Sequence, residues 1–165
     1  MMTGAEIMLE TGMQAARDGL ADLAGSTWIM SLPQRQAAYH GHPAGRGRPG
    51  LPADEGTGLV AVTFGNRAVL AQECVILSVR WEPMEPGDEF TVLLDGSVTL
   101  APAAAPEQSV MTLTGTCETR AGAMTPDACE QLSRELSEAS REFITNVADD
   151  VTHAAGSGPE RGQLR

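Results

Sequence analysis

The sequence predicts an α+β fold in which an antiparallel sheet is followed by one long C-terminal helix. Two observations lead to this prediction. From residue 59 to residue 118, apolar and polar side chains alternate over several runs, as they do in strands with one buried face. Over residues 126–151 apolar side chains recur at intervals of three and four, as in an amphipathic helix. The sheet face and the helix stripe must bury each other.

The composition limits what the chain can do. Its 165 residues suit one domain with one core, and 42% of them are hydrophobic. The formal net charge is −11 and the sequence contains no lysine, which excludes lysine Schiff-base chemistry and lysine-bearing phosphate loops. An acidic surface repels phosphate backbones, so we expect no nucleic-acid partner. No apolar run reaches the roughly 18 residues of a membrane span, so we expect no membrane insertion.

The cysteines and the start of the chain predict the compartment. Cys74, Cys117 and Cys129 are scattered and odd in number, which fits free thiols better than a disulfide framework. The opening segment "MMTGAEIMLETGMQ" lacks a basic region and a continuous apolar stretch, so it does not resemble a signal peptide. We therefore expect a cytoplasmic protein.

The first 32 residues are expected to hold a strand and short helices. Residues 5–12 form a short apolar-rich stretch, which we interpret as the first strand. Helical spacing then predicts one or two short helices over residues 13–32, broken at Gly19 and Gly25, because glycine inside a helix costs about 1 kcal/mol relative to alanine. The residues at helical spacing are Ala16, Leu20, Leu23, Ala24 and Trp28.

Residues 33–58 are rich in glycine and proline and are expected to form a long loop. Residues 45–50 match Gly-x-Gly-x-x-Gly, but a dinucleotide site needs a strand before this motif and a helix after it, so we expect no nucleotide. His40 and His42 supply at most half of a metal site. We therefore expect neither a metal nor a cofactor.

Two strands are predicted on either side of Gly65 and Asn66, which form a turn signal. In the second of them one face is apolar and the other polar. The apolar face carries Val75, Leu77, Val79 and Trp81.

The segment "FTVLLDGSVTLAP" contains a hairpin signal, Asp95-Gly96, that we interpret differently. The apolar positions keep their alternation through Gly96, so residues 90–101 are expected to form one strand that bends or bulges at this glycine. The chain then reverses in "APAAAPEQS", and residues 110–118 form the return strand.

The final helix is the clearest element. Thr125, Pro126 and Asp127 give an N-cap, a first-position proline and a first-turn acid. One domain over residues 1–152 and a disordered tail over 153–165 are expected. The helix stripe consists of Cys129, Leu132, Leu136, Ala139, Phe143, Val147 and Val151.

The sequence of residues 79–116, "VRWEPMEPGDEFTVLLDGSVTLAPAAAPEQSVMTLTGT", resembles the actinobacterial SRPBCC (START-like, polyketide-cyclase-like) domains. In that family a strand ending in Arg-Trp-Glu leads to a strand with a phenylalanine and a Leu-Asp pair. A proline-containing turn and a strand of the Leu-Thr-Leu-Thr-Gly-Thr type follow. The resemblance covers about residues 79–150, and upstream only the order of the elements agrees.

The resemblance implies a helix-grip fold, in which a curved antiparallel sheet wraps around the long C-terminal helix and short helices follow the first strand. It also implies an apolar cavity between sheet and helix that binds a small hydrophobic molecule, such as a lipid or a polyketide. We expect binding rather than catalysis and assign no catalytic residue. The residues expected to line the cavity are Val79, Trp81, Phe90, Val92, Leu94, Met111, Leu113, Leu136 and Phe143.

Two alternatives stay open. A cyclase or dehydratase would need a polar side chain in the same cavity, and the candidates are Tyr39, Arg80, Glu82 and Asp95. A protein-interaction module of the same fold would instead use an exposed apolar patch to bind a protein partner or to form a homodimer.

Overall fold

The computed structural model describes residues 1–33, 57–70, 73–84, 92–119 and 126–156. Six strands form one antiparallel sheet in the order β1-β6-β5-β4-β3-β2, and two helices accompany it. The predicted α+β class is confirmed. The elements in chain order are β1 (Met2–Leu9), α1 (Met13–Leu23), β2 (Thr27–Pro33), β3 (Thr57–Val69), β4 (Val75–Pro83), β5 (Val92–Pro102), β6 (Ser109–Thr119) and α2 (Pro126–Gly156).

β4 shows how the sheet divides into a buried and an exposed face. Val75, Leu77, Val79 and Trp81 are each at most 1% exposed. The residues between them are partly or fully exposed to solvent. The predicted alternation along this strand is therefore confirmed, and it places the apolar face of the sheet toward α2.

The turn predicted at Gly65 and Asn66 is wrong. β3 continues through both residues, and its pairing with β4 shifts register between Phe64 and Arg67, which marks a β-bulge. The chain reverses later, where the Leu70 N–H donates a hydrogen bond of 2.8 Å to the Cys74 carbonyl oxygen. A glycine next to an asparagine suits a bulge as well as a turn, so this signal alone does not separate the two.

β5 is the single strand that the alternation predicts, but it contains no bulge at Gly96. Gly96 pairs with Val79 of β4 on one side and with Gly115 of β6 on the other, and neither register shifts there. A Cβ atom at Gly96 would collide with the Thr114 carbonyl oxygen. Glycine is therefore needed for the close approach of β6, and the predicted return strand follows as β6.

Residues 13–32 contain one helix, within the predicted one or two, but the helical assignment of residues 27–32 is wrong, because they form a strand. α1 passes through Gly19 without a break and ends before Gly25, whose φ of 78° is left-handed. Trp28, for which the helical spacing predicts a helix, lies on β2. Threonine, tryptophan and isoleucine at residues 27–29 favour a strand, and pairing with β3 decides the outcome.

Gly19 lies where the two helices touch. It is buried, and a Cβ atom there would lie 2.5 Å from the carbonyl oxygen of Val151 on α2. The low helix propensity of glycine is offset because its missing side chain lets the two backbones meet. This contact fixes α1 against the C-terminal part of α2.

α2 is longer than predicted. It begins at Pro126 as expected but continues to Gly156, five residues beyond the expected end, and its 31 residues span about 46 Å. The predicted stripe is buried from Leu132 to Val151, and Cys129 is partly exposed. Residues 157–165 of the expected tail, like most of the expected loop at residues 33–58, lie outside the described residues.

The sheet curves around α2, as the helix-grip arrangement requires. On edge strand β1, the Thr3 Oγ1 lies 2.9 Å from the Oγ of Ser140. On the opposite edge strand β2, the Trp28 ring centroid lies 6.3 Å from that of Phe143, one helical turn further along α2. In a flat sheet the two edges would be about 24 Å apart, at about 4.8 Å per strand. One turn of α2 can contact both edges only because the sheet is bent.

We expect Gly19→Ala to destabilise the protein by about 1–3 kcal/mol, because the added methyl group overpacks the contact with Val151 and outweighs the gain in helix propensity. Asp22→Ala is the matched control, since Asp22 is exposed on the same helix. It should leave the free energy of unfolding unchanged or slightly higher. Urea unfolding of both variants measures the difference, and equal stability would contradict the close contact.

We expect Ser140→Ala to lower the free energy of unfolding by about 1 kcal/mol relative to Ser137→Ala. Both changes raise helix propensity equally, but the Ser137 hydroxyl donates only to the Ser133 carbonyl oxygen of its own helix. A double-mutant cycle with Thr3→Ala should return a coupling of about 0.5–1.5 kcal/mol between β1 and α2. A coupling near zero would show that the hydroxyl pair does not hold this edge.

Candidate functional site

One row of side chains crosses the concave face of the sheet. The strand registers align Trp28, Val62, Trp81, Leu94 and Cys117 on five adjacent strands, and we call these residues the Trp81 row. Val62, Trp81, Leu94 and Cys117 are at most 2% exposed, while Trp28 on the edge strand is partly exposed. The row is an apolar band that begins at the surface and continues into the interior.

The Trp81 row lies near one particular end of the sheet. Pro33, at the end of β2, pairs with Thr57 at the start of β3, and the end of β4, the start of β5 and the end of β6 lie at the same end. We call this end of the sheet the connection end. α1 follows β1 at the opposite end.

Four aromatic rings from four elements meet against the concave face. The ring centroids of Trp28 and Phe64 are 4.9 Å apart, and those of Trp81 and Phe143 are 5.3 Å apart, both in edge-to-face arrangements. Phe64 and Phe143 are stacked at 6.0 Å. We call these four residues the aromatic cluster. It joins β2, β3 and β4 to α2, and it reaches the surface at Trp28.

The residues that we expected to line a cavity lie mostly in this interior. Phe90 is outside the described residues, and Val92 opens β5 with a side chain that is not described. The described side chains on this face pack together in one core, and the cavity between sheet and helix stays a prediction. The other seven residues are each at most 3% exposed and belong to one apolar core: Val79, Trp81, Leu94, Met111, Leu113, Leu136 and Phe143.

Two members of the aromatic cluster were missed by the sequence prediction. Phe64 continues the alternation that begins at Val60 and Val62, so a stricter use of that pattern finds it. Trp28 was assigned to a helix, and its position on β2 follows only from pairing with β3.

Trp81 brings a polar group into the apolar interior. Its side chain is fully buried, and its indole Nε1 has no hydrogen-bond partner among the described residues. A buried donor without an acceptor costs about 1–3 kcal/mol. The edge-to-face contact with Phe143 offers at most a weak N–H···π interaction. Residue type alone does not reveal this feature, because buried indoles usually find an acceptor.

The polar residues considered for catalysis lie on the other face of the sheet. The Arg80 Nε and the Glu82 Oε1 form a salt bridge of 2.9 Å, and both side chains are about half exposed. Asp95, which pairs with Arg80 across the strands, is also exposed. Tyr39 lies outside the described residues. Arg80, Glu82 and Asp95 therefore point away from the aromatic cluster.

Metal and membrane sites find no support in the described part of the chain. Its His, Cys, Asp and Glu side chains form no group of three that could hold a metal ion. His40 and His42 lie outside that part. None of its helices combines the length and the hydropathy needed to cross a membrane.

Cys117 ends the Trp81 row and is 2% exposed. Burial raises the pKa of its thiol, because the thiolate loses hydration, and the positive charge of the N-terminal ammonium opposes part of this shift. The ammonium donates a hydrogen bond of 2.9 Å to the Cys117 carbonyl oxygen. Cys117 is therefore a small core residue that stays protonated to higher pH than an ordinary cysteine.

We expect iodoacetamide to modify Cys74 and Cys129, which are partly exposed, well before Cys117. The rate at Cys117 should still rise with pH above about 8.5, where the rate at an ordinary cysteine levels off, because its thiolate forms at higher pH. Mass spectrometry of the digested protein over pH 7 to 10 measures the three rates. A Cys117 rate equal to those of the other two would contradict its burial.

The chain matches no protein-family model, and no curated protein is significantly similar to it. It is similar in structure to a conserved protein from Geobacillus kaustophilus, with 14% identity, a TM-score of 0.48 and coverage of 92% of this chain and 95% of that one. It is also similar in structure to Ara h 8.0201, with 15% identity, a TM-score of 0.41 and coverage of 96% of this chain and 99% of that one. A member of the major latex protein family from Arabidopsis thaliana is similar with 10% identity, a TM-score of 0.34 and coverage of 88% of this chain and 94% of that one. Because these likenesses are weak, the fold is established by the strand order and helix packing of the chain itself.

Proposed function

We propose that the protein binds a small hydrophobic molecule, such as a lipid or a polyketide-like compound, against the concave face of the sheet near its connection end. The observation that supports this most directly is the aromatic cluster. The chain contains only six aromatic residues, and both tryptophans and two of the three phenylalanines meet there. Sites for small molecules are lined mainly by hydrophobic and aromatic side chains.

The position of the cluster supports binding rather than a purely structural role. Trp28 and Met30 on edge strand β2 are partly exposed but pack against the buried core. An apolar molecule could therefore contact the cluster from the edge of the sheet. The opposite end of the sheet is occupied by α1, whose backbone touches α2 at Gly19.

The pattern of residues 79–116 supports membership of the START-like, polyketide-cyclase-like superfamily, and we propose the actinobacterial type. The helix-grip arrangement of the chain agrees with this assignment. We also propose that the protein acts in the cytoplasm, which the three free cysteines support. The enzyme alternative is less well supported, because Arg80, Glu82 and Asp95 lie on the exposed face.

We expect a bicyclic or tricyclic aromatic compound to form a one-to-one complex and to displace an apolar fluorescent dye. Native mass spectrometry and dye displacement would measure this over a set of lipids and polyketide-like aromatics. Met30→Glu should weaken binding at least tenfold, because a charge at a partly buried position resists contact with an apolar ligand.

Ile29→Glu is the matched control for Met30→Glu. Ile29 precedes Met30 on the same strand but is 66% exposed on the other face, so this change should leave affinity unaltered. Thermal unfolding of both variants would show that the fold is retained. The proposal fails if no apolar compound binds, or if both variants weaken binding equally.

A further inference from the structure

We propose that the ligand is recognised through a neutral hydrogen-bond acceptor, such as a ketone or ester oxygen, that binds the Nε1–H of Trp81. This inference depends on the proposed function, because it concerns the chemistry of the same site. It assigns Trp81 a role in specificity in addition to its apolar contacts.

Among the described residues, the neighbours of Trp81 provide no acceptor side chain. In the Trp81 row it is flanked by Val62 on β3 and Leu94 on β5, and its ring contacts that of Phe143 on α2. None of these three side chains can accept a conventional hydrogen bond. The buried hydroxyl of Ser140, on the same helix as Phe143, is paired with Thr3.

An unpaired donor at this place can select a ligand. A hydrogen bond to a donor that is already dehydrated contributes more binding free energy than one to a donor exposed to water, because no water has to be removed from that donor. A ligand with an acceptor at the right position would therefore bind more tightly than a hydrocarbon of the same shape. A hydrocarbon would leave the indole N–H unpaired, as it is in the protein alone.

The acceptor should be neutral rather than a carboxylate. The buried polar residues among those described are Ser109 and Ser140, and neither carries a charge. A carboxylate drawn beside Trp81 would lose its hydration without a buried cation to compensate, which costs far more than one hydrogen bond returns. A neutral carbonyl oxygen satisfies the indole without this penalty.

Two pairs of compounds test the inference, and each pair differs only by a carbonyl group in place of a methylene group. The pairs are 1-tetralone with tetralin and xanthone with xanthene. We expect the ketones to bind about tenfold more tightly, which is the gain from pairing one buried donor. We also expect the ketones to shift the Trp81 indole N–H signal further downfield than the matched hydrocarbons do, in spectra of ¹⁵N-labelled protein.

The protein has two tryptophans, so its spectrum contains two indole signals. Trp81→Phe and Trp28→Phe would assign them. The aromatic rings of the two compounds in a pair have nearly equal ring currents, so a downfield shift of the ketone complex beyond that of the hydrocarbon complex reports the hydrogen bond. Trp81→Phe should abolish the preference for ketones. Trp28→Phe changes the proposed site itself, so it should alter the affinities of both members of a pair alike and keep the preference. The signal of the unaltered protein tests the inference even if Trp81→Phe unfolds it.

The outcomes separate the two proposals. If both members of each pair bind equally and the Trp81 signal responds alike to both, the inference is wrong and the proposed function stands. The same holds if Trp81→Phe keeps the preference for ketones. If no compound of either pair binds, the inference is wrong, and if no lipid or polyketide-like compound binds either, the proposed function fails with it.

Discussion

One turn of α2 determines the shape of this protein, because it contacts both edges of a six-stranded sheet. Ser140 binds Thr3 on β1, and Phe143 packs against Trp28 on β2. Strands so far apart in the sheet order can meet one helical turn only if the sheet bends. The bend creates a concave face, and that face places side chains from five adjacent strands around the same helix. The aromatic cluster is a direct consequence of this geometry.

The two ends of the concave face are built differently. At one end the Gly19 backbone lies against Val151, so the helices meet without side chains between them and α1 occupies the space beside α2. At the connection end the sheet and α2 are joined through large rings, which reach the surface at Trp28. Backbone contact holds its geometry closely, whereas contact through rings can rearrange by rotamer changes. Adaptability, and with it ligand binding, is therefore expected at the ring end.

The parts of the fold that the sequence predicts are those in which local pattern and tertiary environment agree. β4 and α2 each bury one face, so their periodicity reveals them. β2 was interpreted as helix because apolar residues at helical spacing continue to Trp28, and only pairing with β3 makes it a strand. The pattern predicts a bend or bulge at Gly96, but no bulge forms there, and glycine is needed for the approach of Thr114 on a neighbouring strand. Close approach between strands has no signature in a single segment.

The same distinction between local pattern and tertiary environment applies to the candidate site. Burial of the Trp81 side chain could be predicted from alternation along β4, since it needs only the strand period. The pairing of its indole could not, because an acceptor would have to come from another strand or from α2. A core selected for stability alone would place phenylalanine or leucine there and avoid a dehydrated donor. Local rules are most often broken at functional positions, where the cost is offset by what the residue binds. The unpaired indole is thus better explained by recognition than by packing.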